Sequence, residues 1–422
     1  MVPRQVAVVG SGVAGLTAAH VLQQGGREVS LYEAADRLGG HAHTHDLPAR
    51  GGGVIRVDTG FIVHNERTYP LLLRLFRELG VATQDSEMSM SVRCEGCGLE
   101  YAGARGPAGL FARPRSALRG RYLRMLTEVR AFHRAARTTL AKGRGDDTLT
   151  LRRFLTTCGF SRYFETHFVV PLVSAVWSCA PETAMRYPAV YLFRFLEHHG
   201  MLSVSGSPQW KTVTGGSAEY VGRIGKELTA VHTGTPVRAV HRSADRARVV
   251  AEDGTERAYD AVVVAVHPDQ ALELLAEPTA DERRYLGAFH YSRNTTVLHT
   301  DTSLLPRARA ARASWNYLMD SCHTSADEVK VSYDMNRLQR LSSGDDFVVT
   351  LNATDRIADD RILARMTYEH PVYTPESVAA QQHLPQLNTA VTAFAGAYHG
   401  WGFHEDGCRS GVQAAAALGV RW

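Results

Sequence analysis

The sequence predicts an α/β fold: a Rossmann-type nucleotide-binding domain with an α+β domain inserted into it. Three observations carry this. The β-branched run Val6–Val9 leads directly into Gly10-x-Gly12-x-x-Gly15. A helical pattern from Leu16 to Gln24 breaks at Gly25-Gly26, and a second strand, Val29–Tyr32, ends on Glu33. Late in the chain, the apolar run Ala261–Val266 and the segment Val391–Ala416 supply another buried parallel strand, then a strand, glycine loop and helix. The nucleotide domain is therefore expected in three pieces, 1–62, 206–285 and 390–422. The inserted domain takes 63–205 (largely helical) and 286–389 (largely sheet).

Each glycine of the first turn has a physical task. Gly10 permits the tight exit from the strand. Gly12 lets backbone N–H groups of the Val13-Ala14 turn approach a pyrophosphate at the helix N-terminus. Gly15 lets helix and sheet pack closely. Glu33, followed by Ala34, stands where a carboxylate accepts hydrogen bonds from ribose hydroxyls, which implies an adenosine.

Composition sets bounds. The chain has 422 residues, of which 44% are hydrophobic, enough for two or three domains with large cores. A net charge of +4 gives no case for nucleic acid. No apolar run reaches membrane-spanning length and the chain enters a strand at once, so a cytoplasmic location without a leader is expected. The stretch Arg105–Arg137 is basic. It reads either as a solvated helix face or as a patch for anionic head groups or an acidic acyl carrier. Six cysteines occur at 94, 97, 158, 179, 322 and 408. Cys94-x-x-Cys97 stands without a second pair at matching spacing. It is read as a plain thiol pair, and no metal site is expected.

Along the chain, a strand is expected at Val54–Ile62 and a helix at Tyr69–Leu79 stopped by Gly80. A hairpin follows over 86–103, with helices at Ala117–Ala141, Leu149–Cys158 (after Asp146-Asp147) and Tyr187–His199. Tyr163–Ala175 is apolar and interrupted by Pro171. The central helices supply the wall of an apolar pocket or an ordinary core. Pro236–Val240 is a strand. A hairpin turns at Asp253-Gly254. Strands at 295–300, 314–318, 329–334 and 347–351 are expected to floor the cavity.

Asp36-Arg37-Leu38-Gly39-Gly40 resembles the R-x-G-G segment of the flavin amine oxidase and phytoene desaturase superfamily. There it extends the dinucleotide site toward the flavin, with Arg37 as a charge partner to an anion-binding turn. Further matching pieces are GSGVAGL, RLGGHAHT, VDTGFIVHN, WSCAPETAMRYPA, FLEHHGML, TVTGGS, SYDMNRLQ, EHPVY and GWGFHEDG. The chain thus resembles, over nearly its full length, the FAD-binding proteins allied to the flavin amine oxidases, a group often encoded beside cyclopropane-fatty-acid-synthase-like methyltransferases. The resemblance implies FAD held also by His41, Thr59, Gly60, Phe61, Val237, Gly396, Phe403, Asp406 and Gly407. It places the N-terminus of the last helix at flavin N1/O2, where negative charge develops on reduction.

By motif position, His64, His404, Tyr398 and Trp401 are the catalytic candidates; His43, Asn65 and Trp177 lie nearby. Histidine has the intrinsic pKa for proton transfer at neutral pH. His41, His43 and His45 alternate, which invites a metal reading, but their place after the glycine pair favours packing beside the flavin. Glu405 and Asp406 read equally as caps of the last helix. Cys179 and Cys408 are conceivable covalent attachment points. Amine oxidases of the superfamily carry a Lys that holds a water against flavin N5. Here the matching stretch reads Asn294-Thr295-Thr296-Val297, which weakens an amine oxidase reading. The expectation is an FAD-dependent oxidoreductase that desaturates a hydrophobic, fatty-acyl-type substrate, with a possible membrane-peripheral or methyltransferase partner. The alternatives are an amine or amino-acid oxidase and a redox-neutral double-bond isomerase.

Overall fold

A computed structural model of the chain describes residues 4–49, 51–142, 148–203, 206–323 and 328–422. Asp146-Asp147 and the expected boundary at 205 lie outside the described residues.

The β-branched runs become one all-parallel sheet. Its order is Ala230–His232, Glu28–Tyr32, Gln5–Val9, Ala261–Val264, Thr392–Phe394. The inner strands are apolar on both faces because helices cover both, as parallel sheets require. The helix Val13–Gln24 starts three residues before the expected Leu16, since Gly12 is already its N-cap. A Cβ on Gly15 would lie 1.9 Å from Gly10 O, so only glycine lets this helix sit so close to the strand exit. The last helix, His404–Ala417, packs on it equally closely. A Cβ on Gly411 would lie 2.4 Å from Ala14 O, and one on Gly407 2.6 Å from a Val13 methyl.

The single strand expected over 54–62 is instead the strand Val54–Asp58, paired antiparallel with Thr44–Pro48. The chain then bends at Gly60, where a Cβ would lie 2.1 Å from His41 O. Phe61 N and Thr59 N donate to His41 O and His43 O across the bend. Asp58, buried at the end of the strand, ties three parts of the chain. Its carboxylate accepts from Thr44 Oγ1, Ser217 N and Oγ, and Gln339 Nε2. Burial still pushes its pKa up to about 6.

The four strands expected over 295–351 are present as His290–His299, Trp315–Met319, Val331–Asp334 and Val348–Leu351. They belong to a seven-stranded mixed sheet. Ile362–Val372, which sequence patterning misses, forms one edge beside His290–His299. The hairpin Met90–Cys94 and Leu99–Ala102 forms the other edge. Trp315–Met319 runs parallel to Met90–Cys94, with Met319 opposite Cys94.

The central helices Gly120–Ala141, Leu151–Thr157 and Ala189–His198 share a core in which Phe132, Phe154, Phe164 and Phe193 meet edge-on or tilted. The apolar stretch around Pro171 is one continuous helical run. A π turn, Glu165–Val169, leads into the helix Val170–Trp177; Pro171 has no N–H to offer His167 O, which accepts from Tyr101 Oη instead. Ser178, in the left-handed region at φ 50°, ends it. Among the described residues no helix is long and apolar enough to cross a membrane.

Candidate active site

A cavity of about 950 Å³ runs from the first glycine turn into the space between the helical block and the seven-stranded sheet. At its nucleotide end lie Gly10, Gly12, Val13, Ala14, Glu33, Ala34 and Gly40. Gly10 has φ +99°, a conformation that favours glycine. A Cβ on Gly12 would meet nothing within 4 Å, so the floor there is bare backbone at the N-terminus of a twelve-residue helix. Glu33 holds the turn: Ser11 N and Ala35 N donate to its two oxygens, each at 2.9 Å. The second glycine turn docks on the first, with Gly39 N donating to Ser11 O. Thr235, Pro236 and Val237 close the cavity from the opposite side.

Further in, His41, Thr59, Gly60, Phe61, Gly396, Tyr398, Phe403 and His404 all line the wall. Other predicted residues do not. Gly15 serves packing, as above. Arg37 is not one of the wall residues. Its guanidinium donates to Gly40 O at 2.9 Å and braces its own turn. Gly39 is not one of the wall residues either; a Cβ there would lie 2.4 Å from Ala42 O. Asp406 is buried behind the wall, where it caps the last helix through Phe403 N and pairs with Arg409. Glu405 caps the helix Pro70–Glu78 through Leu71 N and Leu72 N. Asp406 thus caps the last helix as expected, whereas Glu405 caps a different helix. Gly407 is a helix-packing position. Cys179 and Cys408 are buried off the cavity, with thiol pKa values pushed up to about 12 by burial.

The catalytic candidates separate in the same way. Trp401 packs on His198 and Phe195 outside the cavity, and only its carbonyl serves the site, accepting from Trp177 Nε1. His64 is fully buried behind Phe61, edge-on to Phe76. Neither ring nitrogen has a hydrogen-bond partner among the described residues. Burial, with a smaller contribution from Lys211, lowers its pKa to about 4. A depressed folded-state value means that its stability contribution is intact above about pH 6.5 and is lost as pH falls toward 4. Denaturant unfolding should therefore weaken by about 1.2 kcal/mol per pH unit near about pH 5.5 on account of this ring. His64→Leu should remove that share of the slope, and an unchanged slope would contradict it.

His404 stacks on Phe61 at 3.6 Å, and its Nε2 lies 3.2 Å from Tyr220 Oη. Burial, with His64 a lesser cause, lowers its pKa to about 3. Tyr398 is buried, and its hydroxyl has no partner among the described residues.

The edge strand Ile362–Val372 adds residues that no motif singled out. Tyr368 Oη bridges Thr59 Oγ1 and His43 Nδ1. His370 lies edge-on to His41, 5.4 Å away. Asn352 Nδ2 donates to Asn294 Oδ1, which leaves Asn294 Nδ2 to donate to His370 Nδ1. His370 thus accepts at Nδ1 and carries its proton on Nε2. Burial, with His267 secondary, lowers its pKa to about 4. Asn294 occupies the stretch where a Lys was sought. None of the four lysines lines the cavity. His41, His43 and His45 do not form a metal-ligand cluster among the described residues. His41 packs on Tyr368 and His370, and His43 bonds Tyr368 Oη while packing on His45.

Residues 13–303 match the flavin-containing amine oxidoreductase family. The chain belongs to this family. It is 25% identical over 287 residues to the (S)-6-hydroxynicotine oxidase of Paenarthrobacter nicotinovorans, covering 66% of this chain and 63% of that one. It is 49% identical over 57 residues to the flavin-dependent L-tryptophan oxidase of Lentzea aerocolonigenes, covering 14% and 12%. The chain thus spans less than two thirds of either relative's length. Two solved structures share the fold across the whole chain. A fatty acid isomerase from P. acnes that produces CLA superposes with a TM-score of 0.69 at 16% identity, covering 97% of both chains. A putrescine oxidase superposes with a TM-score of 0.68 at 17% identity, covering 98% of both.

The family is flavin-containing, and the cofactor is FAD. The chain's residues fit the cofactor. The bare backbone at Gly12 leaves room for the pyrophosphate, Glu33 stands at the adenosine end, and the unpartnered Tyr398 Oη and His41 Nε2 offer polar contacts farther in.

Proposed function

We propose that the enzyme dehydrogenates a long apolar chain of fatty-acyl type. The carrying observation is the charge distribution on the cavity wall. Among the described residues its charged side chains are Glu33, Glu273 and Glu369. Glu33 braces the nucleotide turn. Glu273 sits on the helix Pro268–Leu274, and Glu369 pairs with Arg293 and lies beside His267. The inner chamber has none: Met88, Met90, Phe168, Leu172, Val176 and Trp315 set its character. An ammonium or a free amino acid would lose its hydration there without a counter-charge, at a cost of several kcal/mol. A hydrocarbon chain loses nothing of the kind.

FAD supplies the hydride acceptor when bound. The chain's own groups exclude water and hold protons. His404, stacked on Phe61 with Nε2 3.2 Å from Tyr220 Oη, is the proposed proton acceptor; burial keeps it uncharged at neutral pH. His370, proton on Nε2, is a proposed donor and positioning group. His404→Phe keeps the ring stack and removes the base. We expect kcat to fall about 100-fold with FAD retained, measured on acyl chains by mass spectrometric counting of products two hydrogens lighter. Unchanged turnover would remove His404 from the mechanism.

As to partners, the basic stretch reads best as a membrane-facing surface. Arg105 and Arg113 pair with Glu87 and Glu100, but Arg115, Arg121, Arg130 and Arg134 are exposed with no partner among the described residues. Leu118 beside them is 87% exposed, and Gly103 and Ala104 at the cavity edge are close in sequence.

A further inference from the structure

We propose that this enzyme holds a structural zinc ion bound by Cys94, Cys97, His167 and Cys322. The four ligand atoms lie within 4.8 Å of one another, although the residues come from three separate parts of the inserted domain. Cys94 ends the first strand of the hairpin Met90–Ala102, and Cys97 lies in its turn. His167 sits in the π turn Glu165–Val169. Cys322 follows the strand Trp315–Met319, which runs parallel to the hairpin.

Two of the six edges have the length a tetrahedron requires, and the other four stay within 4.8 Å. With Zn–S of about 2.3 Å and Zn–N of about 2.0–2.1 Å, ligand atoms are separated by about 3.5–3.8 Å. Cys94 Sγ and Cys322 Sγ are 3.7 Å apart, and Cys97 Sγ and His167 Nε2 are 3.7 Å apart. The sulfur separation is far outside a disulfide bond of about 2.05 Å.

The surroundings are those of a ligand set. His167 presents Nε2 to the sulfurs. Its Nδ1 lies 3.2 Å from Tyr163 O and 2.7 Å from Thr166 Oγ1, which fixes a proton on Nδ1 and leaves the Nε2 lone pair for a metal. The Tyr163 ring stacks on the imidazole at 4.0 Å. Tyr101 Oη donates to His167 O and holds the π turn against the hairpin. Gly96 is needed for the approach of the third strand. A Cβ there would lie 2.9 Å from Ser321 Cα and 3.0 Å from Cys322 N. Three thiolates and one imidazole leave a divalent ion with one net negative charge, and Arg119, bonded to Cys97 O, lies beside it. Four protein ligands close the coordination sphere, so the site is structural.

Its position gives it a purpose. Phe168 follows His167 and lines the substrate chamber; Met90, Val92 and Tyr101 of the hairpin line it too. The ion would pin hairpin, π turn and sheet together behind that wall.

Elemental analysis of the FAD-loaded enzyme, purified without a metal-affinity step, tests this. The expected result is one zinc per chain. Cys97→Ser and His167→Ala should lose the zinc and keep the flavin, and Cys158→Ser, outside the cluster, should keep both. Cobalt exchanged into the unaltered enzyme should show thiolate charge-transfer and tetrahedral ligand-field bands, a readout that does not depend on the variants folding. Iron in place of zinc, a chain two hydrogens lighter with Cys94 bonded to Cys322, or metal-free protein that gives no cobalt spectrum under reducing conditions would each overturn the proposal.

Discussion

Gly12→Leu should purify as a folded, colourless protein. Nothing lies within 4 Å of the position a Cβ would take at Gly12, so a side chain can leave the backbone there without a clash at its first atom. It projects into the cavity over the helix N-terminus, where the pyrophosphate must meet backbone N–H groups. Flavin affinity should fall at least ~1,000-fold, about 4 kcal/mol. Gly10 is a poorer test. At φ +99° and with a Cβ 2.5 Å from Ala265 O, a substitution there would damage the fold as well as the site. Flavin absorbance after gel filtration, with circular dichroism as the folding control, decides the matter. Yellow Gly12→Leu protein at parental stoichiometry would place the cofactor elsewhere.

The second large effect concerns the chamber. Leu172 and Val176 lie one turn apart on the helix Val170–Trp177 and both line the cavity. Leu172 is only partly buried, so a larger ring extends into space instead of into packed core. Leu172→Trp should cut kcat/KM for a long acyl chain about 100-fold, about 2.7 kcal/mol, with the flavin spectrum unchanged. A shorter chain should lose less, because it does not reach the obstruction. Equal activity on long chains would mean that the substrate does not enter this chamber.

The nucleotide half of the site was legible because its chemistry is local. Gly10, Gly12, Gly15 and Glu33 lie within one strand–helix–strand unit, and backbone constraint leaves a mark in residue type. The inner half was not. The strand Ile362–Val372 carries Tyr368 and His370 to the cavity, yet it reads ILARMTYEHPV, with charges along it and a proline near its end. Such a sequence suits a sheet edge and lacks the apolar signal of a buried strand. His64 looked catalytic from its motif because sequence does not say which side of Phe61 the ring takes. Trp401 failed similarly: its backbone belongs to the site and its indole to the helical core. The cysteine pair looked solitary because its partners at 167 and 322 are brought to it by strand pairing and a π turn, not by spacing.

Anaerobic titration of the FAD-loaded enzyme tests the central claim most directly. The oxidised flavin band near about 450 nm, a property of the cofactor itself, reports hydride transfer without any assumption about the electron acceptor. Unsaturated fatty acyl chains, free or in phospholipid, should bleach it, and a panel of primary amines and amino acids should not. Bleaching by amines with acyl chains inert would contradict the proposed substrate class and establish an amine oxidase.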